Sequence, residues 1–143
     1  MSASRTDIGT SPLFIAAEKG HVEVVKLLLD HNADVNASRT DDGATPLYIA
    51  AYIGHVEVVK LLLHYNADVN ARRTDDGATP LYTAAGNGHL EVVKLLLDHK
   101  ADKTAKCHNG ETPLNVAQRN HHLEVLFFMV ALCNRADHYI FVL

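Results

Sequence analysis

Residues 44–69 read ATPLYIAAYIGHVEVVKLLLHYNADV. Thr45 stands where a side-chain oxygen caps a helix, and Pro46 follows at the first helical position, where its missing N–H costs nothing. A helix therefore starts at Pro46. It is short, because Gly54 supplies the left-handed conformation that ends it. Ala50 and Ala51 are small enough to let neighbouring helices approach closely. His55 then opens a second helix, HVEVVKLLLHY, in which Glu57, Lys60 and His64 share one polar stripe. Val56, Val59, Leu62 and Leu63 form an apolar face that Val58 and Leu61 extend sideways. A helix of that pattern is buried on more than one side, as in the middle layer of a stack. Asn66 is placed to take a left-handed conformation at its end, and ADVNARRTDDG then runs extended to a turn at Asp76-Gly77, forming a projecting hairpin-like arm.

The same unit recurs along the chain. Pro12, Pro46, Pro80 and Pro113 are spaced by 34, 34 and 33 residues, and the residues after each proline repeat with it. Four units are expected, at about 9–42, 43–76, 77–109 and 110–143, the last divergent and cap-like, with no room for a second domain. Helices this short do not persist alone, so each unit must borrow stability from its neighbours by stacking.

The string G-A-T-P-L-Y-x-A-A-x-x-G-H-x-E-V-V-K-L-L-L-x-x-x-A-D resembles the ankyrin repeat family over nearly the whole chain. The resemblance implies an all-α solenoid of paired antiparallel helices with arms pointing sideways, and a role as a binding module for another protein. The chain also departs from the family pattern. Phe14, Tyr48, Tyr82 and Asn115 occupy the usual histidine position of T-P-L-H, so that histidine's hydrogen bonds are not expected to carry over. Two arms, Ala37 to Gly43 and Ala71 to Gly77, carry one residue more than the common repeat. His121 replaces the turn glycine of the last unit and Lys100 the helix-ending Asn of the third, so both turns are expected to be strained or altered.

Positions that differ between units are those the stack does not dictate, and most lie at helix ends. In the family these ends and the arm tips form a concave binding surface, which by resemblance selects Glu18, Lys19, Tyr52, Ile53, Gly86 and Asn87. Tyr52 and Ile53 are the leading pair, being apolar where a surface is expected to be polar. Phe14, Tyr48 and Tyr82 recur as an aromatic ladder that either anchors a partner or packs on the next repeat. Arg39, Arg72 and Arg73 beside Asp41, Asp42, Asp75 and Asp76 put both charges at the arm tips, where they tune partner choice or are plain solvated turns. Asn36 and Asn70, in A-D-V-N-A, resemble the ankyrin-repeat asparagines that asparaginyl hydroxylases modify.

Other functions find little support. His21, His55, His89 and His122 recur with the repeat, but stacked helices lie about 8–10 Å apart, too far for equivalent histidines to share one metal ion. Cys107, His108, His121 and His122 form a less regular local group without recognisable ligand spacing. No phosphate loop, nucleophile elbow or zinc-protease motif is present, so neither catalysis nor a cofactor is expected. A net charge of -4 offers nucleic acid no general attraction. Two cysteines without close spacing fit a reducing compartment, no signal-like start is seen, and no apolar run suits a membrane span. The expectation is a cytoplasmic protein, with the nucleus open.

The ends are the least regular part. Ser4-Arg5-Thr6-Asp7 matches the arm segment Ser38-Arg39-Thr40-Asp41, and the apolar LFFMVAL and YIFVL stretches near the C-terminus require a cover. Either the final segment folds back over the last helix and the chain is a monomer, or the chain self-associates or continues into further repeats. Beside a binding module, a structural piece of a longer array or a consensus-like scaffold without its own target therefore remains an alternative.

Overall fold

A computed structural model describes residues 9–136, and all of its regular structure there is helical. In chain order the helices are α1 (Pro12–Lys19), α2 (Val22–Asp30), α3 (Pro46–Ile53), α4 (Val56–His64), α5 (Pro80–Gly86), α6 (Leu90–Asp98), α7 (Pro113–Arg119) and α8 (Leu123–Ala136). Each odd-numbered helix begins as the sequence dictates. Ser11, Thr45, Thr79 and Thr112 accept the backbone N–H of Phe14, Tyr48, Tyr82 and Asn115, each at 3.1 Å, with proline just inside the cap. Each such cap contributes about 1 kcal/mol. At Thr112 the bond is reciprocated, because Asn115 Oδ1 accepts the Thr112 N–H at 3.0 Å.

The second helices start one residue later than expected, at Val56 rather than His55, and the reason is the use made of the histidine ring. His55 Nε2 lies 3.0 Å from the Glu18 carbonyl and His89 Nε2 lies 3.0 Å from that of Tyr52, so each ring reaches back to the preceding unit. The rings of His55, His89 and His122 lie where a side chain on Gly20, Gly54 and Gly88 would stand. The recurrent histidines thus close one unit onto the turn of another.

Those turns keep one conformation throughout. Gly20, Gly54 and Gly88 have φ of 73°, 96° and 74°, and His121 holds 63° at the equivalent place; Asn32 and Asn66, at 70° and 67°, are matched by Lys100 at 72°. Of the two expected outcomes, strain is the one found, and the turns are not altered in path. The backbone path is kept, and the replacements hold a left-handed conformation at about 1–2 kcal/mol each.

α1, α3, α5 and α7 pack side by side as one layer, and α2, α4, α6 and α8 as a second. The first layer is the closer packed. Its contacts are made by Ala16, Ala17, Ala50, Ala51, Ala84, Ala85 and Ala117, all buried, whose small side chains permit that approach. Between the layers lie Leu13, Leu47 and Leu81 with Val25, Val59, Val93, Leu62 and Leu96. Burying each of these larger side chains contributes about 1.5–3 kcal/mol. Val24 is 46% exposed on α2, whereas Val58 and Val92, at the same place in the two following units, are fully buried at 0% because a preceding unit covers them. α8 has 14 residues against nine in α6, and Leu123, Phe127 and Val130 leave apolar surface exposed along it. The expected cover, YIFVL, and the Ser4–Asp7 match lie outside the described residues. Gly9, with φ of 62°, does share the conformation of the arm glycines Gly43 and Gly77, at 75° and 74°. No helix among the described residues is long and apolar enough to cross a membrane.

Candidate functional site

The arms are built from a few backbone bonds and stack on one another. Arg39 N–H donates to Ala44 C=O and Gly43 N–H to Arg39 C=O, both at 2.9 Å, and Arg73, Ala78 and Gly77 repeat this geometry. The third arm closes more tightly, with Gly110 N–H on Cys107 C=O only three residues back. Asp42, Asp76 and Asn109 each accept the N–H two residues on, which aligns the arms and identifies the additional residues as Asp41 and Asp75. Successive arms are joined by Thr74 N–H to Asp42 C=O and His108 N–H to Asp76 C=O, each at 2.8 Å.

Each lengthened arm folds its arginine inward over an aromatic ring. The Arg39 guanidinium carbon lies 5.0 Å from the centre of the Phe14 ring, and that of Arg73 lies 5.2 Å from the Tyr48 ring, within cation–π range. The added aspartates hold them there. Arg39 Nε donates to Asp41 Oδ1 at 3.2 Å and Arg73 Nε to Asp75 Oδ1 at 3.0 Å, while Asp42 bonds Arg39 Nη2 at 3.0 Å and lies 3.9 Å from Arg73 Nη1. The hydrogen bond from Arg73 holds the Asp75 carboxyl below the ordinary carboxylate range. Burial pushes the Tyr48 phenol upward.

The third position of the ladder is built differently. Cys107 replaces the arginine, and its thiol donates to Asn109 Oδ1 at 2.7 Å. Tyr82, half-buried, donates its hydroxyl to Glu111 Oε1 at 2.6 Å. Glu111 is also gripped by the Arg119 fork, at 2.7 Å from Nε and 2.8 Å from Nη2. Arg119 first and Tyr82 second push the Glu111 carboxyl down to about 2.

Between the first two arms and α1 and α3 lies a crevice of about 160 Å³. Phe14, Ala44, Tyr48, Ile49 and Tyr52 give it an apolar lining, and Arg39, Asp42 and Arg73 a charged wall. Tyr52 and Ile53, 48% and 39% exposed, stand at the end of α3, and the Tyr52 ring lies 6.4 Å from that of Tyr48.

The structure thus sorts the residues selected from sequence. Lys19 and Asn87 are exposed at the ends of α1 and α5, with Asn87 Nδ2 on the Thr83 carbonyl at 2.9 Å. Tyr48 is buried at 5% exposure beneath Arg73, which removes it from the contacts open to a partner and makes it a packing residue like Phe14. Gly86 is also buried, against Val116, with its carbonyl taken by Asn120 Nδ2 at 2.8 Å. Arg72 spans to the next unit, its Nη1 donating to Gly77 C=O at 3.0 Å and Lys106 C=O at 2.6 Å. Asn36 and Asn70 are staples of the stack: their side-chain oxygens accept the N–H of Asp68 and Asp102 at 2.8 and 2.9 Å. Cys107 and His108 lie in the third arm, whereas His121 and His122 lie at the turn between α7 and α8, so the local Cys/His group is divided. Ala44 and Ile49 as lining residues, and the Glu111–Arg119 pair, were not anticipated; only the changed spacing from Cys107 to Glu111 hinted at a third arm of different chemistry.

The family model for ankyrin repeats in three copies matches residues 2–73 and again residues 71–140. The chain belongs to the ankyrin repeat family. Comparison with curated proteins found no match.

Proposed function

We propose that the chain is a non-catalytic module that binds another protein on the concave face between its arms and the ends of its first helices, and that it works in the reducing cytoplasm. Members of its family are generally protein-interaction modules. One observation carries the choice of face: Tyr52 and Ile53 stand exposed at the end of α3, a helix whose other large side chains are mostly buried, and Tyr52 lines a crevice of mixed apolar and charged character. Exposed apolar side chains of this kind are what binding hot spots use. The arms are held by bonds to one another, so little ordering is needed on binding, and affinity gains accordingly.

The test is capture of a partner from cell lysate by wild-type chain and by the Tyr52→Ala/Ile53→Ser variant. Both side chains are substantially exposed, so the variant is expected to unfold within about 0.5 kcal/mol of wild type. Capture should fall at least about tenfold, the equivalent of 1.4 kcal/mol. Unchanged capture by a folded variant refutes the face.

A second reading, a segment of a longer array, rests on the apolar exposure of Val24 and Leu27 on α2, the side where later units receive their neighbour. Light scattering that shows a stable monomer of the isolated chain counts against it.

A further inference from the structure

The binding face proposed above carries a charge pattern that specifies its partner further. Around the crevice the first two arms bring together Arg39 and Arg73 with Asp41, Asp42, Asp75 and Asp76, two cations against four carboxylates. The two signs are not equally presented. The arginine side chains are folded down onto aromatic rings and are 23% and 22% exposed, whereas Asp41, Asp75 and Asp76 are 45%, 47% and 51% exposed. Asp41 and Asp75 are the residues that lengthen these arms, and the third arm has neither the insertion nor the arginine. Each lengthened arm therefore keeps its cation inside and shows its anion at the rim. Arg72 lies on the third-arm side, its guanidinium donating to the Gly77 and Lys106 carbonyls and not to the carboxylates of the rim. Lys19 has Glu18 next to it at the end of α1, also exposed.

We propose that the partner is a peptide segment with an arginine or lysine seated over the carboxylates of Asp41, Asp75 and Asp76, and a bulky apolar residue beside it packed on Tyr52 and Ile53. The inference rests on the binding face proposed above. An incoming guanidinium or ammonium meets an excess of carboxylates over cations at the rim, since Asp41, Asp75 and Asp76 stay exposed while bonded to Arg39 and Arg73, and its apolar neighbour finds the crevice, about 160 Å³, roomy enough for a side chain. An acidic segment meets the same rim with like charge and is repelled.

The probe is a phage-displayed library of random 12-residue peptides, panned on the full chain. Selected sequences are synthesised and titrated by fluorescence anisotropy at low and high salt. Three proteins are compared: wild type, Asp41→Asn/Asp75→Asn/Asp76→Asn, and Tyr52→Ala/Ile53→Ser, with each fold checked by circular dichroism. Asparagine keeps the hydrogen-bonding shape, and the single Asp75→Asn variant serves if the triple one unfolds. The expected outcome is a selected pattern of Arg or Lys next to an aliphatic or aromatic residue. Affinity should fall about tenfold in the triple variant, with most of the salt dependence lost. Peptides that need Tyr52 and Ile53 but bind the triple variant undiminished, or that are acidic or uncharged, overturn the basic partner and leave the face standing. Peptides indifferent to Tyr52 and Ile53, or no enrichment at all, overturn the face together with the partner.

Discussion

Replacing Gly54 by alanine tests how the turn beneath Tyr52 and Ile53 is built. Gly54 has φ of +96°, and a side chain there would stand 2.7 Å from His89 Nδ1 and 2.8 Å from its Cε1. Two separate costs follow. Holding alanine in the left-handed region costs about 1–2 kcal/mol. Pushing the His89 ring aside also gives up its 3.0 Å bond to the Tyr52 carbonyl, a loss of about 0.5–1.5 kcal/mol. Stiffening of the unfolded chain returns about 0.4–1 kcal/mol. The net expectation is a destabilisation of about 2 kcal/mol. In a His89→Ala background the clash has no partner, so the same change should cost only the backbone part, about 1 kcal/mol. Urea unfolding of the four proteins, followed by far-ultraviolet circular dichroism with equal slopes, measures the cycle. If Gly54→Ala costs as much without the imidazole as with it, the clash is not its cause. A cost below about 0.5 kcal/mol in wild type refutes the strain argument as well.

Further outcomes follow from packing and charge. Leu62→Ala, at a fully buried site between the layers, should cost about 2–5 kcal/mol in urea unfolding, while Leu27→Ala, largely exposed on α2, should cost less than about 0.5 kcal/mol. Lys100→Gly, which relieves a φ of 72°, should raise stability by up to about 1 kcal/mol; a lower urea midpoint would show that the lysine makes a contact worth more than its strain. Glu111, with its folded pKa lowered from 4.5 to about 2, adds stability that is fully present above pH 4.5 and is lost as pH falls through that interval. Glu111→Gln should flatten the acid limb of the stability profile between those values, and an unchanged limb in pH-dependent unfolding sinks the assignment.

The fold was legible because its determinants are local and repeated. Thr45-Pro46 caps a helix and Gly54 ends it through bonds within a few residues, and the period then repeats that solution down the chain. The site was legible only in part. Tyr52 and Ile53 stood out because apolar residues occupy helix-end positions where solvent exposure is normal. Tyr48 and Arg73 did not reveal their relation, because the ring is buried by a guanidinium 25 residues further on, an arrangement set by how the arm returns to α3. In the same way, Arg72 and Arg73 are neighbours in sequence, yet one staples the next unit and the other covers a ring. Helix ends are written locally, whereas the direction of a long charged side chain is decided by whatever the next arm presents.

The bond from one arm to the next is indifferent to arm length. Thr74 N–H meets Asp42 C=O and His108 N–H meets Asp76 C=O at the same 2.8 Å, although the third arm is a residue shorter than the second. Length is absorbed at the tip, where in the second arm the added Asp75 sits between Thr74, which bonds back, and Asp76, which bonds forward. Insertion and deletion at that point can therefore remodel the rim proposed to meet a partner, adding or withdrawing a carboxylate, while the register of the stack is inherited unchanged.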